Sequence, residues 1–195
     1  MKRLFKWAIL SLCVYGFVNS CIYHEITHMS DEEVGWVTNR HKGEQFHFKS
    51  SNGILDTLSI LETNTHNDID FINWGYFNTS SKAYIAYAYV RYGFSNQHDG
   101  GVFIINKYQK DKPICFSTVI LDDEWLYDIP LNITSMWVDG IKFDDIMLFE
   151  YDTLKSHNET KQVNSIKSHA WSKKYGLVQY TFQDGTVFNR TDINQ

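Results

Sequence analysis

Two prolines in 195 residues, three cysteines and a shortage of basic side chains set the first limits on this chain. With so little proline, no Gly/Ser-rich tract, no repeat of fixed period and no low-complexity stretch, nothing marks a linker or a second domain. Beyond the first twenty residues no apolar stripe of 3.6-residue period runs for the length of a helix, which excludes a helical bundle. The 18 Lys and Arg are outnumbered by 23 Asp and Glu. That balance argues against nucleic acid and against the face of an anionic bilayer as partners.

The amino terminus carries the most explicit signal. A basic segment, Met1 to Lys6, precedes an apolar run from Trp7 to Val18 and then Asn19-Ser20-Cys21. This is the plan of a secretory signal, too short to cross a bilayer, which takes about 20 residues of helix. Val18-Asn19-Ser20-Cys21 resembles the lipobox of bacterial lipoproteins. The resemblance implies lipidation at Cys21, which becomes the first residue of the mature chain. Each buried acyl methylene contributes about 0.8 kcal/mol, so two or three chains on Cys21 anchor the protein almost permanently. Ordinary secretion with cleavage near Ser20 is the competing expectation. The expected organisation is a signal peptide over 1–20, a lipidated tether over 21–32 and one β-rich domain over 33–195.

Cysteine usage bears on the same choice. Cys13 lies inside the signal, so the exported chain keeps Cys21 and Cys115. An acylated Cys21 leaves Cys115 unpaired, a small apolar residue in the strand-like run 113–121; a secreted form allows a Cys21–Cys115 disulfide. Loss of Lys2, Arg3 and Lys6 with the signal brings the net charge to about −8.

Aromatic residues make up 16% of the chain, a composition suited to pleated, half-buried surfaces. Period-two alternation marks residues 45–49, 82–92, 102–108 and 177–182 as strands. Loops are expected at 64–68, 95–101 and 156–160. The one helix candidate is 28–34, capped by Ser30 or Asp31. Asp184-Gly185, between Leu177–Phe182 and Thr186–Phe188, reads as a closing hairpin, and Asp139-Gly140 as a second one. The predicted fold is mostly β: a single-domain curled antiparallel sheet of six to ten strands, a half-barrel or sandwich, with at most one or two short helices.

Asp139-Gly140-Ile141-Lys142-Phe143-Asp144-Asp145-Ile146, together with 171–180 and Asp184-Gly185-Thr186-Val187-Phe188, resembles segments of small Bacteroidota lipoproteins of uncharacterised function. In those proteins a turn, an aromatic, Asp and an aliphatic residue form one segment, and Gly-Leu-Val leads into the last hairpin. The resemblance covers roughly 40 residues plus the lipobox. It implies an exported β-sheet body and carries no catalytic residue.

No metal site, cofactor or catalytic residue is expected. His24 and His28 are four apart with Glu25 after the first, but they lie in the expected tether and ahead of the one helix candidate, so the spacing does not put them on a helical HExxH face; His47 is placed on the face opposite Phe46 and Phe48. Asp122-Asp123-Glu124 and Asp144-Asp145 carry the carboxylates of an acid and base or of a calcium cage, but Asp144 and Asp145 alternate across a strand and line one site only if a bulge intervenes, and Asn96-Gln97-His98-Asp99-Gly100-Gly101 only faintly resembles a calcium loop. No Gly-x-Ser-x-Gly elbow is present. Four Asn-x-Ser/Thr sequons, at Asn78, Asn132, Asn158 and Asn189, matter only in a eukaryotic secretory pathway. The aromatics of 82–92 carry the binding candidates: Tyr84 and Tyr92 share one face, Tyr87, Tyr89 and Arg91 the other, with Trp74 just upstream. Either both faces are buried, or one is core and the other takes a ligand. The expected function is a non-catalytic binding or structural role in the cell envelope, toward a partner protein or an apolar or glycan ligand, with no nucleic acid. The protein is expected to be lipid-anchored in the outer membrane with its domain in the periplasm. An envelope hydrolase using Asp and His residues is the alternative.

Overall fold

Two Asp-Gly pairs reverse the chain where expected, by different chemistry. In the computed structural model, which describes residues 25–67, 83–96, 100–121, 125–151 and 165–193, Asp139 (φ 48°) and Gly140 (φ 78°) are both left-handed. They join β9 (Ile133–Val138) to β10 (Ile141–Glu150), with Val138 opposite Ile141. At the second pair only Gly185 is left-handed, φ 87°. Its N–H donates to Phe182 O at 3.1 Å, the Phe182 N–H donates to Thr186 O at 2.9 Å, and Asp184 Oδ1 accepts the Thr186 N–H at 2.7 Å. That is a three-residue loop ending in a glycine bulge, between β12 (Gly176–Phe182) and β13 (Val187–Arg190).

The remaining strands are β1 (Glu25–Ile26), β2 (Gln45–Ser50), β3 (Leu55–His66), β4 (Ala83–Tyr84), β5 (Ala86–Phe94), β6 (Gly100–Lys107), β7 (Cys115–Ile120), β8 (Leu126–Pro130) and β11 (Ile166–Ser172). β1 and β4 form a small parallel pair. The other eleven make one antiparallel sheet in the order β8-β7-β6-β5-β3-β2-β13-β12-β11-β10-β9. It curls into a half-barrel, as expected from the sequence. The count exceeds six to ten because 126–130 and 133–138, which lack clean alternation, pair as well. The two ends of the sheet, β8 and β9, are consecutive in the chain with only Leu131 and Asn132 between them.

The concave face holds the core. Phe46, Phe48, Leu58, Ile60, Val90, Tyr92, Phe103, Phe116, Phe149 and Trp171 are all buried there. Phe103 of β6 and Trp171 of β11 stack at 4.2 Å and 5°, although five strands lie between them in the sheet. A second, smaller core of Val138, Phe143, Ile146, Ala170, Val178 and Ile193 lies against the β9–β13 half. Both Leu177 and Val178 are therefore buried. The loop expected over 95–101 is shorter than its sequence suggests, since Gly100 and Gly101 open β6 opposite Gly93 and Tyr92. A Cβ on Gly101 would lie 2.5 Å from the Tyr92 ring, and one on Gly100 2.3 Å from the Tyr92 carbonyl. These glycines serve close packing, not chain reversal.

Helix α1 (Asp31–Thr38) starts three residues later than expected and runs four further. Ser30 caps it: Ser30 Oγ accepts the Glu33 N–H at 3.2 Å, and Glu33 Oε2 accepts the Ser30 N–H at 2.8 Å. Gly35 and the β-branched Val34, Val37 and Thr38 give it little intrinsic propensity, so burial of Trp36 and Val37 in the concave core holds it. The stretch expected to be tether is partly body. From Glu25 the chain joins the fold, Thr27 and Met29 are buried, and the Asn67 side chain bonds both the N–H (2.6 Å) and the carbonyl (2.8 Å) of Met29. The physical reason is a short alternation, Thr27 and Met29 in, His28 and Ser30 out, too brief to register as periodicity.

Glu33 also ties α1 to the sheet through Lys107 Nζ, at 2.7 and 2.8 Å. Partial burial pushes the Glu33 carboxyl up, but Lys107 and Ser30 together hold it below its ordinary 4.5. A carboxyl depressed in the folded state adds stability above its unfolded pKa that is lost as pH falls through the folded value. Glu33→Gln is therefore expected to be less stable than the parent at pH 7 and to converge with it as pH falls through the depressed pKa of the folded carboxyl, as urea titrations across pH would show.

Candidate functional site: the convex face of β3, β5 and β6

Alternation along β5 sends Ala86, Ala88, Val90, Tyr92 and Phe94 into the core and leaves Tyr87, Tyr89 and Arg91 on the convex face. The register then assembles a polar and aromatic array around them. Tyr87 lies between His66 of β3 and Asn106 of β6, Tyr89 between Asn64 and Ile104, and Arg91 between Glu62 and Val102. A bulge makes the last of these possible. Ile60 opposes Tyr92 and Glu62 opposes Arg91, so Leu61 is the extra residue. Without it, the apolar Leu61 would face Arg91.

Glu62 is the hub of this array. Tyr89 donates its O–H to Glu62 Oε1 at 2.6 Å and Arg91 reaches Oε2 at 3.0 Å, so each carboxylate oxygen has a partner. The Glu62 hydrogen bond, first, raises the Tyr89 phenol above its ordinary 10. Beside it, His66 and Tyr87 stack at 4.4 Å and 25°, with Tyr87 37% exposed. The face is thus open to solvent rather than covered by a second layer.

The array continues toward the β8 end of the sheet. Tyr108 donates to Asp128 Oδ1 at 2.7 Å, and the Cys115 thiol contacts Asp128 Oδ1 and Asn106 O, both at 3.6 Å. Burial first, then Asp128, pushes the Cys115 thiol up to about 11. At neutral pH it is a thiol, without the thiolate that a nucleophile needs. Trp125 and Tyr127 stack at 5.6 Å and 14° on the same end.

Of the binding candidates, Tyr87, Tyr89 and Arg91 come together on one face, whereas Trp74 lies outside the described residues, as do the signal, Cys21, His24 and Asp122-Asp123-Glu124. Tyr84 parts company with Tyr92: the expected strand 82–92 breaks at Ile85, and Tyr84 belongs to β4, paired with β1. Sequence reasoning missed Glu62, Asn64 and His66. Asn64 and His66 sit in a segment expected to be a loop, and β3 instead continues through His66. Only the β-branched Thr63 and Thr65 between them hint at a strand.

The remaining sequence candidates serve structure. His47 is exposed on the face opposite Phe46 and Phe48, as expected, beside Thr57 Oγ1 at 3.2 Å. Cys115 is half-buried and unpaired with any described cysteine. Asp144 is exposed, bonded to Ser135 (2.7 Å) and Lys142 (2.6 Å). Across the β10 bulge, Asp145 accepts from Ser172 Oγ at 2.9 Å and the Lys174 N–H at 2.8 Å, fixing the β11–β12 turn. His169 is fully buried, and burial holds its imidazole down at about 3. It is neutral at physiological pH, stacked on Phe149 at 4.7 Å with Nε2 3.3 Å from Thr118 Oγ1. Among the described residues no group of three or more His, Cys, Asp and Glu could hold a metal ion, and no helix is long and apolar enough to cross a membrane. No family model, curated protein or solved structure matches the chain.

Replacing Glu62 by Gln removes the charge that raises Tyr89 and pairs with Arg91. The variant is expected to show one tyrosine titrating nearer pH 10 in ultraviolet difference spectra, with stability changed by less than about 1 kcal/mol because the pair is exposed.

Proposed function

We propose that this chain is a bacterial lipoprotein, anchored by acyl chains on Cys21 in the outer membrane with its sheet in the periplasm. There it acts as a non-catalytic binding protein whose convex face of β3, β5 and β6 takes a glycan. The observation that carries the binding reading is the solvent-facing group of Tyr87, Tyr89, Arg91, Glu62 and His66 on the reverse of a fully packed sheet. Large aromatic and ion-paired side chains there contribute nothing to the core. Pyranose rings present C–H faces that stack on Tyr87 and His66, while Glu62, Arg91 and Asn64 offer acceptors and donors for hydroxyls. A protonated thiol at Cys115, a sealed His169 and an Asp145 committed to a turn weigh against the hydrolase alternative. Extension of the array by Tyr108, Trp125 and Tyr127 suits an elongated ligand.

Tyr87→Ser/Tyr89→Ser is the direct test. These side chains are outside the core, so the thermal midpoint is expected to move by no more than about 2 °C. Co-sedimentation with purified envelope glycan is expected to be lost. Retained binding by the folded double variant removes this face from the proposal.

The anchor is tested separately. Cys21→Ser placed behind a signal cut by signal peptidase I is expected to appear in the soluble periplasmic fraction, and inhibition of signal peptidase II to accumulate an unprocessed precursor of the native chain. Normal maturation under the inhibitor would instead mean simple secretion.

A further inference from the structure

The two end strands of the sheet are built differently. A sheet edge exposes unpaired N–H and C=O groups, and proteins that stay monomeric blunt it with proline, bulges or lysine. β8 is blunted: Pro130 has no N–H to offer, and Asp128 is left-handed at φ 53°. β9 has none of these devices. Its neighbour β10 carries the bulge, between Phe143 and Ile146, which leaves the sequence Ile133-Thr134-Ser135-Met136-Trp137-Val138 regular. Trp137 is 66% and Ile133 50% exposed.

The register of the β9–β10 hairpin fixes what that edge presents. The two-residue turn makes Val138 and Ile141 a hydrogen-bonded pair, so even-numbered residues of β9 point their backbone groups toward β10. The N–H and C=O groups of Ile133, Ser135 and Trp137 therefore point to the open side. Their side chains share one face, opposite Val138 and Met136, which pack toward the second core.

Reversed on itself about Ser135, this pattern is self-complementary. Ser135 meets the partner's Ser135, and Ile133 meets the partner's Trp137 on the same face, a β-branched residue against an aromatic one. All three outward-pointing residues then fall into hydrogen-bonded pairs. Charge favours a second copy at this place over others on the chain. The protein has 23 acidic and 18 basic residues, yet none lies between Ile129 and Val138. The nearest charges on that face, Lys142 and Asp144, neutralise each other at 2.6 Å. Two acidic bodies meet there without like charges opposed.

We propose that two copies of the chain pair through β9, antiparallel, with Ser135 on the two-fold axis and the two curled sheets joined edge to edge. The interface is isologous and closes after two copies.

The test uses the full-length chain in mild detergent, in a Cys115→Ser background, with copper-catalysed disulfide formation. Ser135→Cys places two thiols about 5.5 Å apart by Cα, within disulfide range, whereas Thr134→Cys sets its pair two residues out of register. A covalent homodimer is expected from Ser135→Cys, and neither from Thr134→Cys nor from the background chain. Adding Trp137→Lys is expected to abolish the cross-link while the thermal transition stays near that of the parent, since Trp137 lies outside the core. Sedimentation of the unmodified chain is expected to give the dimer mass. A monomer mass for the folded parent, equal cross-linking at both positions, or a Ser135→Cys adduct with a different protein would each overturn the proposal. The last outcome would assign the edge to a foreign strand.

Discussion

The stack of Phe103 on Trp171 is the contact on which the rest of the structure depends. Those rings belong to strands separated by five others, so they meet only because the sheet has curled. Around them, Trp36 from α1 packs edge-on to Phe116 at 5.1 Å, Tyr92 lies 5.8 Å from Trp171, and Phe149 stands edge-on to Phe103 at 6.1 Å. Each such pair adds about 0.5–1.5 kcal/mol beyond the area it buries. An isolated hairpin could not bury this surface; a curled sheet turns one face wholly inward and leaves the other available. The helix follows from the same constraint, since its weak propensity is overridden by the place its Trp36 fills in the curl.

Buried polar groups pin the register of that curl. Asp56, almost fully buried at the start of β3, accepts from its neighbour Thr57 N–H, from Ser95 and Asn96 beyond β5, and from Tyr180 O–H on β12 at 3.1 Å. Burial, then Asp56, keeps the Tyr180 phenol far above its ordinary range, and so a donor. Arg40 and Arg190 approach the Phe46 ring, with guanidinium carbons 5.6 and 3.7 Å from its centroid, and both donate to the Tyr175 carbonyl. Glu44 and Asp192 balance them. Gly176, left-handed at φ 76°, lets this cluster close, because a Cβ there would lie 3.0 Å from Phe46. Breaking such a network leaves charge buried without a partner, which is far costlier than losing one exposed pair.

Among the places where apolar and aromatic surface is left over once the core is satisfied are the convex face around Tyr87 and the open edge at β9. They differ in what they can recognise. The convex face offers rings and side-chain hydrogen-bonding groups, with its backbone already paired on both sides of β5. The β9 edge offers backbone groups and an uncharged side-chain row, the means by which strands recognise strands. The two regions lie on different strands.

Alternation of apolar residues along 45–49, 82–92, 102–108 and 177–182, and glycine's freedom at Gly140 and Gly185, determined from sequence alone that the chain would be an antiparallel sheet with two hairpins at stated places. Those signals are local, set by the two-residue period of a strand and the steric cost of a left-handed backbone. Alternation also set Tyr87, Tyr89 and Arg91 on the face opposite Tyr92, because parity needs no partner strand to be read; that this face lies outside the core was decided by the packing. The tertiary structure decided what parity cannot. Glu62, Asn64 and His66 join those three only through the β3–β5 register, which a one-residue bulge at Leu61 resets. The split between Tyr84 and Tyr92, the burial of Thr27 and Met29, and the placing of β8 and β9 at the two ends of one sheet likewise depend on residues far apart in the chain. Pairing between distant strands is chosen by the packing of the whole curl, and no short window of sequence contains that information.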